Sequence, residues 1–354
     1  EGFCFLMEQS SSPSRERLQT AIRQKFPKAQ WFVYEPVPLD ASANVARQLA
    51  GQPIQPLWQL DQAKAILALD CDFIGAEADT HRAIRDFARG RKIAKPGDTM
   101  NRLYVVEGLM TQTGMNADHR LRVPTSAVIA VAAALGAELV SDNATVKALA
   151  QSFPLPAGVD AKWVSECAAD LKAHRGSSLI LAGHRQPAAV HALVHLLNQV
   201  LGNIGKTVQF IAGPAEQGSI AQLATLLGAG QVDTLVILGG NPVYNAPADL
   251  NWAATQAKTK SAVIRLGYFE DETFAASTWH LPMTHYLEAW GDARSREGTL
   301  VPVQPLLYPL FGGVTELEVL ARVAGLETYR PYQIVRDTFK AITGADHFDE
   351  NWKK

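Results

Sequence analysis

Residues 234–304 read TLVILGGNPVYNAPADLNWAATQAKTKSAVIRLGYFEDETFAASTWHLPMTHYLEAWGDARSREGTLVPVQ, and this stretch decides the fold. Leu235-Val236-Ile237-Leu238 is an unbroken apolar run stopped by Gly239-Gly240-Asn241-Pro242, the pattern of a strand buried on both faces. Ser261 to Gly267 repeats it, and Glu270-Asp271-Glu272 then leads into a short helix. A third segment, Trp279 to Pro282, runs through Met283-Thr284-His285 into Glu288-Ala289-Trp290-Gly291 and Arg296-Glu297-Gly298-Thr299. The reading is of consecutive parallel strands whose C-terminal ends open on one crevice, where α/β sheets take their ligands.

Outward from that stretch the same rhythm holds. Strands are expected at Phe3 to Glu8, Gln30 to Pro36, within Asp61 to Asp72, and at Leu103 to Glu107. Helical spacing follows at Ser14 to Phe26, His81 to Arg91 and Ala127 to Leu139, with a small-residue helix or loop over Leu39 to Gly51. Beyond a seam at Ser141 to Asp160, helices at Trp163 to Arg175 and Ala188 to Leu201 alternate with strands at Leu179 to Ala182 and Val208 to Ala212. Strands and helices alternating in this way argue for parallel βαβ units. The expected architecture is α/β, with two doubly wound, mostly parallel Rossmann-like sheets flanked by helices. The expected domains are residues 1–145 and residues 146–354, the second with a C-terminal crossing segment.

Bulk properties narrow the function classes. A chain of 354 residues is too long for one small core. Hydrophobic content of 47% with 19% charged residues is ordinary for a packed α/β protein. A net charge of −2 with scattered Lys and Arg argues against nucleic-acid binding. The longest apolar run, Ala127 to Leu135, is too short to span a bilayer. Cys4, Cys71 and Cys167 lie far apart without a Cys-x-x-Cys, against an iron-sulfur cluster or a thiolate zinc site held by this chain alone. The start, Glu1-Gly2-Phe3-Cys4, has no initiating methionine and no basic leader, so the chain reads as a piece of a longer protein.

Several blocks carry a family resemblance. "LGGNPVYNAPAD", "FEDETFAASTWHLPMTHYLEAWGD" and "REGTL" are similar to the late core of molybdopterin oxidoreductases of the dimethyl-sulfoxide-reductase type. Ala65 to Arg89, Arg102 to Pro124 and Leu179 to Gly205 resemble three further blocks, the last ending in Leu201-Gly202-Asn203-Ile204-Gly205. Thr111, Thr113, Ala117 and Asp118 keep the pattern, whereas Glu107-Gly108-Leu109 stands where the family has Asp-Pro-Arg. The wording is closest to one branch, the molybdopterin-like region of the iron-sulfur subunit of alternative complex III, a quinol:electron-acceptor oxidoreductase. Nothing matches the family's N-terminal cluster domain or C-terminal barrel.

The resemblance implies two dinucleotide-facing sites. Gly183, Gly239, Gly240, Asn241, Pro242 and Glu270 would face one guanine dinucleotide of the pterin, with His184 beside them and His285 and Glu288 lining the same crevice. Asp70, Asp72, Glu107 and Thr111 would face the other. The plainer reading is that these glycines make tight βα turns, since neither a G-x-G-x-x-G nor a phosphate-loop motif appears. Where the family binds molybdenum or tungsten, Tyr34 to Asn44 has no cysteine. Asp40 and Ser42 read as a helix start, so no metal ligand is expected. His280, His285, Glu288 and Asp292 form the densest polar cluster, with His285 and Glu288 spaced for one helical face and Glu288 placed to cap or to pair with Arg294 or Arg296. Asp118-His119-Arg120 reads as a charged turn, and no hydrolase spacing is present.

The expected function is therefore a molybdopterin-oxidoreductase-like scaffold, non-catalytic, inside a membrane-associated electron-transfer complex. Its molybdopterin guanine dinucleotide would be vestigial and no cofactor bound. Expected partners are the iron-sulfur region of its parent chain and other subunits of the complex. By resemblance the address is the periplasmic face of a bacterial inner membrane. The alternatives are a fragment of an active pterin oxidoreductase and an independent nucleotide-binding module.

Overall fold

The computed structural model describes residues 2–213, 217–344 and 346–352. Along the chain the strands are β1 (Phe3–Met7), β2 (Gln30–Val33), β3 (Ile54–Trp58), β4 (Ala65–Leu69), β5 (Arg102–Glu107), β6 (His119–Arg122) and β7 (Ser178–Ala182). They continue as β8 (Val208–Ala212), β9 (Gly218–Ser219), β10 (Thr234–Leu238), β11 (Ala262–Gly267), β12 (Trp279–Pro282), β13 (Gly291–Arg294) and β14 (Leu300–Val303). Two parallel sheets result, in the orders β12-β11-β10-β1-β2-β9 and β6-β5-β4-β7. The fold is Rossmann-like α/β, as the apolar runs implied.

The runs are continuous because each strand buries both faces. In β4, Ala65, Leu67 and Leu69 enter the core under helices Val128–Leu139, Ala161–Ala173 and Ala188–Val200, while Ile66 and Ala68 face Phe73 and Phe87 on the other side. In the larger sheet, Phe5, Met7, Val236 and Leu238 pack toward helices Pro13–Lys25, Glu316–Ala324 and Pro331–Thr343. Cys4, Leu6, Leu235 and Ile237 pack toward Leu223 and Trp252. Each fully buried Leu or Ile contributes roughly 2 kcal/mol by removal from water.

The division of the chain differs from the expected one at residue 145. One compact unit is Pro38–Ala215; the other joins Glu1–Val37 to Glu216–Lys354. The reason is strand pairing. β1 lies between β10 and β2, with Phe3 opposite Thr234 and Met7 opposite Leu238, so the first strand belongs to the last sheet. The interruption at 141–160 is only a connection, holding helix Ala144–Ser152, inside the first of these units. We call Pro38–Ala215 the inserted unit and the other the split unit.

Two local expectations are corrected. Of the turn expected at Asp118-His119-Arg120, only Asp118 is a bend; His119 and Arg120 open β6, a half-exposed edge strand paired in parallel with β5. His285 to Glu288 is not helical but a turn. The antiparallel ribbon β3-β8 also contains a strand, Ile54–Trp58, that has no apolar run to announce it.

Candidate functional site

In the inserted unit, the ends of β4, β5 and β7 bring Asp70, Asp72, Glu107, Thr111 and Gly183 to one edge of the sheet. The group that ties them is Thr113, fully buried in the short helix Gln112–Met115. Its amide and hydroxyl both donate to Asp72 Oδ1, at 3.0 and 2.8 Å, and its hydroxyl accepts the Ile74 amide at 3.1 Å. Glu107, 1% exposed, accepts from the Arg120 guanidinium at 2.6 Å and from the Thr111 hydroxyl at 2.6 Å. A Cβ at Gly114 would collide with that carboxylate, so glycine is required there by the acid rather than by a ligand.

Asp70 takes a left-handed φ of 50° and accepts the Gln186 side-chain amide at 2.9 Å. Gly183 packs on the Asp70 carbonyl oxygen, which any Cβ would strike. Beside them Glu77 accepts the His184 backbone amide at 3.2 Å, and the His184 ring Nδ1 lies 3.0 Å from it. Burial pushes the Glu77 carboxyl above its ordinary range, with His184 pulling it back. His191, on helix Ala188–Val200, is 1% exposed, and desolvation, with His195 adding repulsion, lowers its pKa to about 4.

In the split unit, Gly239, Gly240, Asn241 and Pro242 follow β10, with both glycines left-handed at φ 78° and 66°. Asn241 Oδ1 accepts the Thr273 hydroxyl at 2.7 Å, and that hydroxyl accepts the Val243 amide at 3.1 Å. The Asn241 amide donates to Glu272 at 2.8 Å. Pro242 opens the short helix Pro242–Asn245. Buried Arg265 folds over Gly267, where a Cβ would lie 2.6 Å from its Cζ, and donates to Asp271 at 2.7 Å and to the carbonyl of Gly240 at 2.8 Å. Glu8, just beyond β1, reaches Gly239, whose Cβ would meet its Oε2 at 2.5 Å. Burial raises the Glu8 pKa, Glu35 adds to the rise, and Arg15 and the Gly240 amide oppose it.

The remaining expected residues scatter. Glu270 is exposed in the turn after β11, and the helix start falls to Asp271, which accepts the Thr273 and Phe274 amides at 3.1 and 3.2 Å. Glu288 lies in the turn that follows His285. It accepts the amides of His285 and Leu310, each at 2.9 Å, and those bonds lower its pKa. Asp292, in β13, is buried against Ser12 and Ser14, and His280 sits edge-on to Phe274 at 5.0 Å. The four residues of the polar cluster therefore do not form one group. Asp40 stands at the N-cap position of helix Ala41–Ala50 without a side-chain capping bond, and Ser42 lies in its first turn. Among the described residues, no three His, Cys, Asp or Glu side chains are grouped to hold a metal ion.

Glu77, Glu8 and Arg265 carry the geometry without having been singled out, and Thr113 entered only as a residue that keeps the family pattern. A signal was present: Thr113 and Thr273 stand 160 positions apart, as do Arg102 and Ala262, which open the matching strands β5 and β11.

The donor set does not suit a pyrophosphate-bearing cofactor. A dinucleotide at a strand end needs free backbone amides and no competing negative charge. Here the amides of Thr111, Thr113 and His184 are bound by Glu107, Asp72 and Glu77, and those of Thr273 and Phe274 by Asp271. The Gly240 amide serves Glu8. Each carboxylate uses an amide that a phosphate would need, so an incoming phosphate would meet like charge and spent donors.

No protein-family model and no curated protein sequence matches the chain. Solved structures do. Acetylene hydratase from Pelobacter acetylenicus superposes with a TM-score of 0.64 at 13% identity, over 95% of this chain and 57% of that one. The likeness is one of fold. A chain of the formyltransferase/hydrolase complex from Methylorubrum extorquens, solved with methylofuran, superposes with a TM-score of 0.57 at 13% identity, over 91% of this chain and 90% of that one. The protein thus spans little more than half the length of the hydratase.

Proposed function

We propose that this chain is a molybdopterin-oxidoreductase-like α/β module that serves as a non-catalytic scaffold in a larger membrane-associated electron-transfer assembly. The likeness to acetylene hydratase supports a distant molybdopterin-type relationship. The second neighbour belongs to a multi-subunit complex, which weakly favours membership of an assembly. The single observation that carries the reading is the self-satisfied strand ends: the chain's own carboxylates use the amides a dinucleotide would need. The motif resemblance extends the proposal to quinol oxidation, with iron-sulfur clusters on neighbouring parts of the parent chain and a periplasmic address. Fold alone does not certify an activity, so the site argument carries the weight.

The test is the metal and pterin content of the purified parent protein, by elemental analysis and by fluorescence after oxidative release. The scaffold reading expects neither molybdenum, tungsten nor pterin assignable to this region. Stoichiometric metal with pterin would overturn it and return attention to Asp40 and Ser42. A thermal shift with guanine mononucleotides is expected to be flat, because a ligand that binds the native state raises apparent stability.

A further inference from the structure

Three features stand outside the strand ends: the basic face of helix Thr80–Arg91, buried His191 with half-buried His195, and an apolar loop after β14. The last carries furthest. Leu306, Tyr308, Leu310 and Phe311 are 77%, 91%, 68% and 89% exposed, an unusual density of large apolar side chains facing water. The loop is built rather than slack. Glu288 ties the Leu310 amide to the His285 amide through one carboxylate, and the Leu306 and Leu307 amides both donate to the Leu287 carbonyl, at 2.7 and 3.1 Å. Its return is fixed at Gly313, where a Cβ would lie 2.9 Å from the Pro282 carbonyl oxygen.

Exposed aromatic rings continue the surface. The Tyr268 ring lies 5.9 Å from that of His285, which lies 4.2 Å from that of Tyr286, and Phe269 adjoins Tyr268 at 6.2 Å. The border is acidic. Tyr268 feels Glu8, Glu316 and Glu288 together, and Glu8 also faces Glu35, with Arg15 the cation that offsets them and already paired to Glu316. Glu270 extends the acidic border next to Phe269.

We propose that the loop at residues 306–311, with Tyr268, Phe269 and Tyr286, docks a protein partner whose apolar ridge is flanked by lysine or arginine. Charge complementarity selects that occupant. An anionic membrane surface would be repelled by the acidic border. A second copy in an isologous contact would set the same acids against themselves. A partner cation beside Glu8 would offset a carboxylate whose counter-charge, Arg15, is shared with Glu316. Large, rigid, exposed apolar side chains ringed by polar groups are the usual anchors of such contacts.

This inference rests on the scaffold reading, and the experiment separates the two. The tagged parent protein, carrying p-benzoylphenylalanine in place of Tyr308 or Phe311, is purified from its native membranes with its complex and irradiated. A control places the same group at Leu49, 65% exposed in the inserted unit. The expected result is one protein adduct from 308 and 311, on an apolar segment with Lys or Arg within a few residues, and none there from 49. Glu270→Lys is expected to lower its yield about fivefold, as reversing a rim charge does. Adducts to lipid, to a second copy or to an uncharged or acidic segment overturn the proposal. An intact complex with no adduct at 308 or 311 overturns it and leaves the scaffold reading standing. A chain that purifies alone overturns both.

Discussion

The two units solve one problem at their strand ends with opposite placements of the same groups. Where β4 ends, the inserted unit has Asp70, and across from it, beyond β7, stands Gly183; in the split unit Gly239 ends β10 and Glu8 stands beyond β1. Acid and glycine have changed places, and each unit keeps one acid facing one glycine. The next strand repeats the exchange. Glu107 at the end of β5 meets Arg120 from β6, whereas Gly267 at the end of β11 is covered by Arg265, which meets Asp271. What does not change is the threonine lock: Thr113 on Asp72 and Ile74, Thr273 on Asn241 and Val243. The lesson is that the backbone turn is the constant, and the charge that fills the space above it is negotiable so long as it is paired.

The glycines offer the sharpest way to break the comparison. Gly183→Ala drives a Cβ into the Asp70 carbonyl, a backbone atom that cannot step aside, and is expected to cost about 3 kcal/mol or more. Gly239→Ala meets only the end of the Glu8 side chain and a left-handed backbone, and is expected to cost about 1 kcal/mol. Hydrogen exchange read separately over β4 and β10 measures both; equal losses would end the claim that acid and glycine are exchanged.

Sheet edges come next. β1 pairs on both sides, but among the described residues β7 pairs only with β4, and its other edge is closed by Asn198, which accepts the Ile180 amide at 3.1 Å and donates to the Ile180 carbonyl at 2.8 Å. Asn203 holds Asn198 at 2.9 Å and Ser178 at 3.2 Å. Asn198→Ala leaves both groups of Ile180 buried and unpaired, a loss of about 2–3 kcal/mol, detectable as accelerated exchange at Ile180. Thr113→Val is expected to cost about 2 kcal/mol because it strips a buried carboxylate of its hydroxyl partner. Thr273→Val, facing neutral Asn241, is expected to cost about 1 kcal/mol. The difference between the Ile74 and Val243 amides in exchange measures that gap.

The smallest effect is in pH. His191 titrates near 4 in the folded inserted unit against 6.5 in an unfolded chain. A base whose folded pKa is depressed leaves the unfolded state holding more protons between those values, so stability falls as pH drops from 6.5 toward 4. His191→Gln is expected to flatten that limb for the inserted unit by on the order of 1 kcal/mol. Glu8 acts in the other direction in the split unit, since its raised pKa makes its cost grow as pH rises above 4.5.

Legibility in the sequence followed burial. Leu235 to Leu238 and Ala65 to Leu69 announce themselves because both faces of each strand are in core. β6 was hidden because an edge strand of alternating basic residues, half in water, has the composition of a turn. The grouping of β1 with β10 was hidden because strand pairing across more than two hundred residues leaves no local trace. At the strand ends, the glycines and acids were visible but their partners were not. Glu77 and His184, or Glu8 and Gly239, meet only once the sheets form, so a pattern shared with ligand-binding proteins reads the same whether a phosphate or a carboxylate fills it.

The insertion of β1 between β10 and β2 sets the order in which a ribosome can complete this molecule. Residues 3–7 are made early, and their β10 neighbour is translated more than two hundred residues after them. The continuous segment Pro38–Ala215 holds all of its sheet partners and can close while the rest is still being made. Until then Phe5, Leu6 and Met7 leave the exit tunnel as an apolar strand whose β10 side has nothing to pair with. A nascent chain stalled near residue 220 is therefore expected to present a folded, protease-resistant segment over Pro38–Ala215 and a chaperone-bound β1.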